Sequence, residues 1–447
     1  MKLLRLLPRF RKLDSILRAY EAREQWSRAQ IQDYQLEKIN ELWRQARTLV
    51  PHYQRLAPTL PSEFSSLEEY VNLVPPLAKQ TLKERNTDLL SKDVQPGRWH
   101  RTGGSTGVPT AVYWEKQAHL EMLRGKYRCE NAFGIDVFDR KTFLWGHAES
   151  FLPGWKGKYQ RIRRPFEDKL RGRQRLSAYD LSPQELEQHI ESMLKFQPKS
   201  LYGYSSAIYT LALAAKETSG FDLPSLELAI LTAEPSDKAM RETVADVFGC
   251  SATVEYGSVE CGLMAYLMPD GALRIREDLV FLETVPNDIG SYDILVTVLN
   301  NPSFPLLRYR IEDMTRSARV DPETGYGVLS EIQGRHNDFL IGRTGEQLHP
   351  MAVKHLIEPF DEFSKITALQ SADGTLDVMI EAVEPVPQET VRRLEEQLAK
   401  LMQGFPVTVR IVDRIKGNAA GKHRWIVSDL AASLSQTASF TPDAAQH

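Results

Sequence analysis

Between residues 199 and 257 the chain alternates short apolar runs with amphipathic ones, and this pattern constrains the fold more than any other feature. KSLYGY is strand-like, and SSAIYTLALAAKETSG has a helical period with a hydroxyl residue at its N-cap. LELAILT is a second strand, SDKAMRETVADVFG is a capped helix closed by glycine, and ATVEYG is a third strand. Strand–helix alternation of this kind argues for a parallel sheet of α/β type.

The flanking segments extend the unit. Residues 15–60 carry a helical period until Pro51 and Pro58 interrupt it. Residues 115–132 read as a helix ending near Gly134, and KTFLWG (141–146) as a short buried strand. In SPQELEQHIESMLKF (182–196), Ser182 is the expected N-cap, Pro183 sits in the first turn and Glu185 completes a capping-box-like pattern. Residues 273–320 turn strand-rich, with antiparallel pairing expected. A boundary falls near 330–340, beyond which strands and helices alternate in a smaller unit ending in the loop KGNAAGKHR. The fold class is therefore α/β: a large N-terminal domain of mixed and parallel sheets with helices, plus a small α+β C-terminal domain. The expected limits are 1–335, with a helical lead-in at 1–60, then 336–430, then a polar flexible tail at 431–447. A cleft between two such units is the usual place for a site.

Composition narrows the function classes. A net charge of −3 and a pI near 6.4 give no support for nucleic-acid binding. Cys129, Cys250 and Cys261 form an odd, sparse set without C-x-x-C, which argues against a disulfide scaffold or a cysteine-rich zinc site. It fits a reducing compartment, and the expected location is cytoplasmic. No apolar run is long enough to span a bilayer. Pro8, Arg9 and Arg11 interrupt what would have to be a signal-peptide core in MKLLRLLPRFRKLDSILRAY. That segment's leucines and basic residues suit peripheral contact with an anionic membrane, but a helix packed on the domain is the commoner outcome of such a pattern.

The stretch RTGGSTGVPT (101–110) holds three glycines and four hydroxyl residues. Glycines let backbone N–H groups surround an anion, and hydroxyls add donors. The lysine of the common phosphate loop, G-x-x-x-x-G-K-[ST], is missing. A run like this taken alone is more often a flexible turn than a phosphate site. Five further segments stand in order with it: LTAEPS (231–236), EYGSVE (255–260), RYRIEDM (308–314), GRHNDFLIGRTGEQLHP (334–350) and AAGKHR (419–424). Together, over about residues 40 to 430, they resemble the adenylate-forming enzymes: acyl- and aryl-CoA ligases, adenylation domains and luciferases. The loop form, the helical lead-in and the short LTAEP motif look most similar to phenylacetate–CoA ligase-like proteins of the capsule-polysaccharide branch.

The resemblance implies a role for each motif. Thr102, Gly103, Gly104, Ser105, Thr106 and Gly107 match the loop that holds the β- and γ-phosphates of ATP. Ala233, Glu234 and Pro235 match positions lining the adenine, and Tyr256, followed by Gly257 and Ser258, matches the aromatic stacked on it. Glu260 matches the acid that binds Mg²⁺, a hard cation suited to oxygen ligands. Asp313 matches the carboxylate that accepts both ribose hydroxyls, and Arg335 an arginine near the ribose. Asn337 stands at the hinge, where the family usually has an acid. Lys422 matches the lysine at the α-phosphate, carried on a small domain that rotates between two steps. Outside these motifs, Tyr256 reads as a core tyrosine, Glu260 as a surface acid, and Arg308 to Asp313 as a solvated charge run.

The implied reaction activates a carboxylic acid as an acyl-adenylate and transfers it to CoA, a carrier thiol or an amine. His147, Glu149 and Tyr204 are candidates for the acid pocket, with Tyr202 and Phe151 beside them. Histidines and aromatics of this kind also serve the core. GWKGKYQRIRRPFEDKLRGRQR (154–175) is basic enough to hold an anionic acceptor, or is a solvated loop. Two other classes stay open: an inactive nucleotide-binding relative, and a membrane-associated assembly protein. Retention of Lys422, Glu260 and Asp313 together favours the enzyme.

Overall fold

The computed structural model describes residues 22–101, 110–145, 167–169, 171–178, 181–287, 290–330, 332–335, 340–343, 347–348, 363–382, 386–402, 404–413, 415 and 426–430. Of the side chains at 333–335, 347–348 and 363–365 nothing is described. The chain divides into two compact units. One comprises Met1–Ile311 and Thr315–Ile332, and the other Glu312–Met314 and Gln333–His447.

A nine-stranded sheet organises the first unit. Its order is Ala318–Val320, Gly327–Leu329, Leu273–Ile275, Gly262–Leu267, Ser251–Ser258, Leu228–Thr232, Ser200–Tyr204, Lys141–Trp145 and Arg173–Ser177. The last five pair in parallel. The remainder pair antiparallel. The central strand LAILT is buried at every position. Leu228 and Ile230 join one core cluster, Ala229 and Leu231 the other, as strand alternation requires when both faces are covered. Helices Pro183–Phe196, Ser205–Glu217 and Lys238–Phe248 supply the second cluster. Helices Arg28–Leu49 and Lys116–Asn131 contribute to the first. The strands Val280–Pro286 and Tyr292–Val298 form an antiparallel pair beside it.

Local signals explain the helix ends. Ser27 and Gln30 make a reciprocal capping box at Arg28–Leu49. Asp237 accepts from the Met240 N–H at 2.7 Å, and Gly249 closes that helix at φ +61°. At Pro183–Phe196 the expected capping box is not made: Ser182 occupies the N-cap without a side-chain cap bond. At Ser205–Glu217 the N-cap is Tyr204 rather than a hydroxyl residue.

The lead-in is held by buried charge. Arg276 is fully buried and pairs with Glu24. Arg128 donates from Nη2 to both oxygens of Asp278, at 3.0 and 2.8 Å, and its Nε lies 2.8 Å from Glu24. Arg28 reaches Glu277 at 2.6 Å. Residues 24 and 28 are thus tied to 276–278 across some of the longest sequence separations in the unit. A desolvated network of this kind is costly to break at one member.

In the second unit a four-stranded sheet runs Val407–Val412, Leu376–Ala382, Phe363–Gln370, Ile426–Ser428. Leu394 and Leu398 of helix Gln388–Leu401 cover it, in a cluster with Leu376, Val378 and Ile380. The buried Gln370 amide bonds both backbone groups of Ile341, at 2.7 and 2.8 Å, and so acts as a strand neighbour.

The network sets an acid-dependent stability. Burial alone would raise the Asp278 carboxyl, but the guanidiniums of Arg128 and Arg276 outweigh it and hold the group at about 2, below 3.8. A depressed carboxyl stabilises fully above its unfolded value and loses that contribution as pH falls through its folded value. Asp278→Asn is expected to lose about 3–5 kcal/mol in urea unfolding at pH 7. Its stability should also fall less steeply than the wild type's between about pH 4 and pH 2. Parallel acid profiles for the two proteins would refute this role.

Candidate nucleotide site

Parallel pairing brings three chain segments out at one edge of the sheet. Tyr204, Thr232 and Glu255 occupy one row of the register. Open α/β sheets bind ligands outside the carboxyl ends of such strands.

Beyond Thr232, the segment Ala233–Glu234–Pro235 makes the first turn. Ala233 takes φ +66°, a left-handed conformation that costs an L-residue about 1–2 kcal/mol. The turn redirects Glu234 to the start of helix Ser205–Glu217. Its Oε2 accepts from the Ser206 N–H at 3.0 Å and from the Ser206 hydroxyl at 2.6 Å, while its carbonyl accepts from Ser205 at 3.0 Å. A carboxylate at a helix N-terminus satisfies an orphan N–H and complements the helix dipole. The Glu234 side chain therefore joins two neighbouring strand ends, and Pro235 is exposed beside it.

On the next strand Tyr256 is 8% exposed and packs in the first core cluster. The ladder with Gly262–Leu267 shifts register between Tyr256 and Gly257, a bulge that re-aims the following residues. A Cβ at Gly257 would lie 2.5 Å from the Gly262 carbonyl oxygen, so no side chain fits there. Ser258 accepts from the Cys261 N–H at 2.9 Å and shapes the turn that carries Glu260. Glu260 is 5% exposed. Among the described residues no hydrogen bond or ion pair engages its carboxylate. It is thus buried rather than a surface acid, and a lone buried carboxylate oxygen suits Mg²⁺, which takes one or two carboxylates with phosphates and water. No group of three or more His, Cys, Asp or Glu among the described residues is arranged to hold a metal without a ligand's help.

The two arms of the glycine loop pair as Gly97–Arg101 and Ala111–Glu115. Asn301 holds the second arm: its Oδ1 accepts from the Glu115 N–H at 3.1 Å and its amide donates to the Tyr113 carbonyl at 2.8 Å. The Glu115 carboxylate accepts from the Ser303 N–H at 2.7 Å. The Trp114 indole donates to the Val259 carbonyl at 3.0 Å, joining this arm to the Glu260 turn. Thr102 to Gly107, between the arms, lie outside the described residues, as do His147, Glu149, Asn337 and Lys422. Arg335 ends a strand, Ile332–Arg335, and its side chain is not described.

Asp313 is 9% exposed on the strand Tyr309–Thr315 and groups with the second unit. It follows Glu312 at φ +70°. Arg308, also at positive φ, is buried and holds Glu283 at 2.8 Å. The segment is therefore not a solvated charge run; only Arg310 within it is exposed. Among the described residues, three of the four non-glycine residues with positive φ lie in the two motifs LTAEPS and RYRIEDM. Backbone strain of this kind concentrates at ligand-binding positions.

Glu255, next to Tyr256 in the chain, joins Tyr202 and Lys126 in a polar cluster that the sequence did not bring together. The Tyr202 hydroxyl donates to Glu255 Oε1 at 2.9 Å, and Lys126 Nζ bonds the same oxygen and lies 3.3 Å from the Tyr202 hydroxyl. Burial alone would lower the Lys126 ammonium, but Glu255 and Tyr202 raise it above its usual value. Burial and Glu255 push the Tyr202 phenol up. Tyr204 is 3% exposed, and its ring lies 4.1 Å from Trp145. Glu255 stood inside the quoted EYGSVE; Lys126, 129 residues earlier, carried no signal of its own.

No protein-family model matches the chain. Protein CapK of Staphylococcus aureus is 24% identical over 283 residues, 61% of this chain and 60% of that protein's length. Phenylacetate-coenzyme A ligase of Aromatoleum evansii is 26% identical over 411 residues, 85% of this chain and 88% of the relative. Among solved structures, a 2-hydroxyisobutyryl-CoA ligase in complex with R3-HIB-AMP superposes with a TM-score of 0.70 at 17% identity, covering 94% of each chain. That likeness shows the fold of acyl-CoA ligases: a large mixed-sheet domain and a small C-terminal α+β domain. Among the described residues no helix is long and apolar enough to cross a membrane. In sequence the chain is thus similar to phenylacetate–CoA ligases of the adenylate-forming superfamily over most of its length, and to CapK over a shorter stretch.

Proposed function

We propose that the chain activates a carboxylic acid with ATP and passes the acyl group to a thiol, with coenzyme A as acceptor. One observation carries the reading. The segments matching the adenine and Mg²⁺ motifs leave adjacent parallel strands at the same sheet edge, around Thr232 and Tyr256. Similarity to phenylacetate-coenzyme A ligases over 85% of the chain supports CoA over a carrier or an amine. Polysaccharide or secondary-metabolite biosynthesis is the setting that the motif resemblance implies.

In the first step an oxygen of the substrate carboxylate attacks the α-phosphorus. An O–P bond forms, the bond to the β-phosphate oxygen breaks, and pyrophosphate leaves the acyl-adenylate behind. Negative charge builds on the α-phosphoryl oxygens, and Lys422 offsets it. The loop Thr102–Gly107 holds the β- and γ-phosphates through backbone N–H groups and hydroxyls. Glu260 would hold Mg²⁺, which neutralises phosphate charge when bound. Tyr256 stacks on the base, the Ala233–Pro235 turn borders it, Asp313 takes the ribose hydroxyls, and Arg335 lies near the ribose. In the second step the CoA sulfur attacks the acyl carbon, the acyl–oxygen bond breaks, and AMP leaves. Asn337 lies at the hinge between the two steps, and His147, Glu149 and Tyr204 border the acid.

Exchange of labelled pyrophosphate into ATP should depend on an added carboxylic acid. Lys422→Ala is expected to lower that exchange by about 100-fold or more, with ATP binding retained in calorimetry. No exchange with any member of a broad acid panel would sink the reading and favour a catalytically inactive nucleotide-binding relative. Glu260→Ala should raise the Mg²⁺ concentration needed for half-maximal exchange by about tenfold or more. An unchanged Mg²⁺ dependence would remove Glu260 from the metal's shell.

A further inference from the structure

We propose that Lys126, Glu255 and Tyr202 form a hydrogen-bonding floor that selects a hydroxyl-bearing carboxylic acid with a flat apolar body. This inference rests on the adenylation reading and names the class of its acid.

The placement comes from the sheet. Glu255 precedes Tyr256, the residue assigned to the base, and shares a register row with Thr232 and Tyr204. Tyr202 stands two residues before the end of its strand, with Trp145 stacked on it at 5.7 Å and Phe143 edge-on at 5.7 Å. Trp145 ends its strand, Lys141–Trp145, two residues before His147 in the chain, a candidate to border the acid. The polar cluster and the aromatic walls therefore lie at the ligand-binding edge, not in the sheet's interior.

Chemistry then narrows the ligand. Lys126 has three N–H donors, and Glu255 Oε1 and the Tyr202 hydroxyl take two of them. Among the described residues the third N–H and Glu255 Oε2 have no hydrogen-bond partner. A donor and an acceptor side by side match a hydroxyl, which can accept from Lys126 and donate to Glu255 at once. A second carboxylate on the substrate would meet Glu255, and an ammonium would meet Lys126; each is disfavoured by like charge. A purely apolar acid would strip water from the cluster and return no hydrogen bond, which a buried polar group tolerates poorly. Sites built to bond a hydroxyl reject the analogue lacking it far more strongly than apolar pockets discriminate by shape. Phe143 and Trp145 supply flat apolar surface for the rest of the acid.

The test uses the full chain and non-hydrolysable acyl-sulfamoyl adenosines made from benzoate, phenylacetate and their ring-hydroxylated forms. The best hydroxylated analogue is expected to bind at least about tenfold tighter than its parent, measured by calorimetry. The charge-neutral double variant Lys126→Met/Glu255→Leu should lose or reverse that preference. Tyr202→Phe, which removes one hydroxyl and little volume, should weaken it while keeping the unfolding transition. Should the double variant fail to fold, the wild type and Tyr202→Phe decide the matter. Equal binding of parent and hydroxylated analogues to the wild type overturns the inference while leaving adenylation standing. Binding of neither, together with no pyrophosphate exchange for any acid, overturns adenylation itself and this inference with it.

Discussion

Parallel pairing of Ser200–Tyr204, Leu228–Thr232 and Ser251–Ser258 places three strand ends level, and the site follows from that row. In an antiparallel sheet alternate strands would deliver their ends to opposite edges. Here the chain leaves each strand in the same direction, and every exit exposes backbone groups that need partners. The structure meets that need with side chains from the neighbouring exit. Glu234, leaving one strand, takes the N–H and hydroxyl of Ser206, which follows the next. Thr232 donates its hydroxyl to the Glu255 carbonyl at 2.9 Å. The strand ends are therefore cross-linked in sequence, and residues between them inherit fixed positions.

Much of this was legible in the sequence because it is local. Strand–helix alternation, Asp237 before its helix, Gly249 after it and the change to strand-rich sequence after 273 all appear in the structure. The misses are of two physical kinds. Capping patterns name residues able to cap, but tertiary partners decide whether they do; the acceptor at Ser206 comes from residue 234, not from a local serine or threonine. Burial of charge is the other. Arg308 looked like one end of a solvated run, yet it is buried on Glu283, and a single sequence gives no sign of a partner 25 residues away. Glu255 and Lys126 illustrate the same limit over a longer range. For the candidate site, the order of motifs names Tyr256 and Glu260 as candidates, while Asn301 and Trp114, which hold the glycine-loop arm, belong to no motif.

The buried charges divide into two groups with different physical consequences. Arg128, Arg276, Asp278 and Glu24 complete one another, so their network fixes the lead-in against the domain. Replacing both members of such a pair by apolar groups is often tolerated, but leaving one member alone is not. Lys126 and Glu255 also pair, joining helix Lys116–Asn131 to strand Ser251–Ser258, yet each keeps hydrogen-bonding capacity beyond the pair.

The arms of the glycine loop are held by groups outside the loop. Asn301 fixes Glu115 and Tyr113 through backbone groups, which does not depend on what the loop side chains do. The Trp114 indole then ties the exiting arm to Val259, next to Glu260. Gly262 closes that turn at φ +71°, where a Cβ would stand 3.0 Å from both the Trp114 ring and the Met122 sulfur. The arm leaving the phosphate loop and the turn bearing the proposed Mg²⁺ carboxylate are thus one packed unit. A lysine within the loop would add a fixed cation to a group that must release pyrophosphate. In the proposed reaction the cation is Lys422, far along the chain, which would leave the loop to hold phosphate by backbone and hydroxyl donors alone, a weaker and more readily reversed grip.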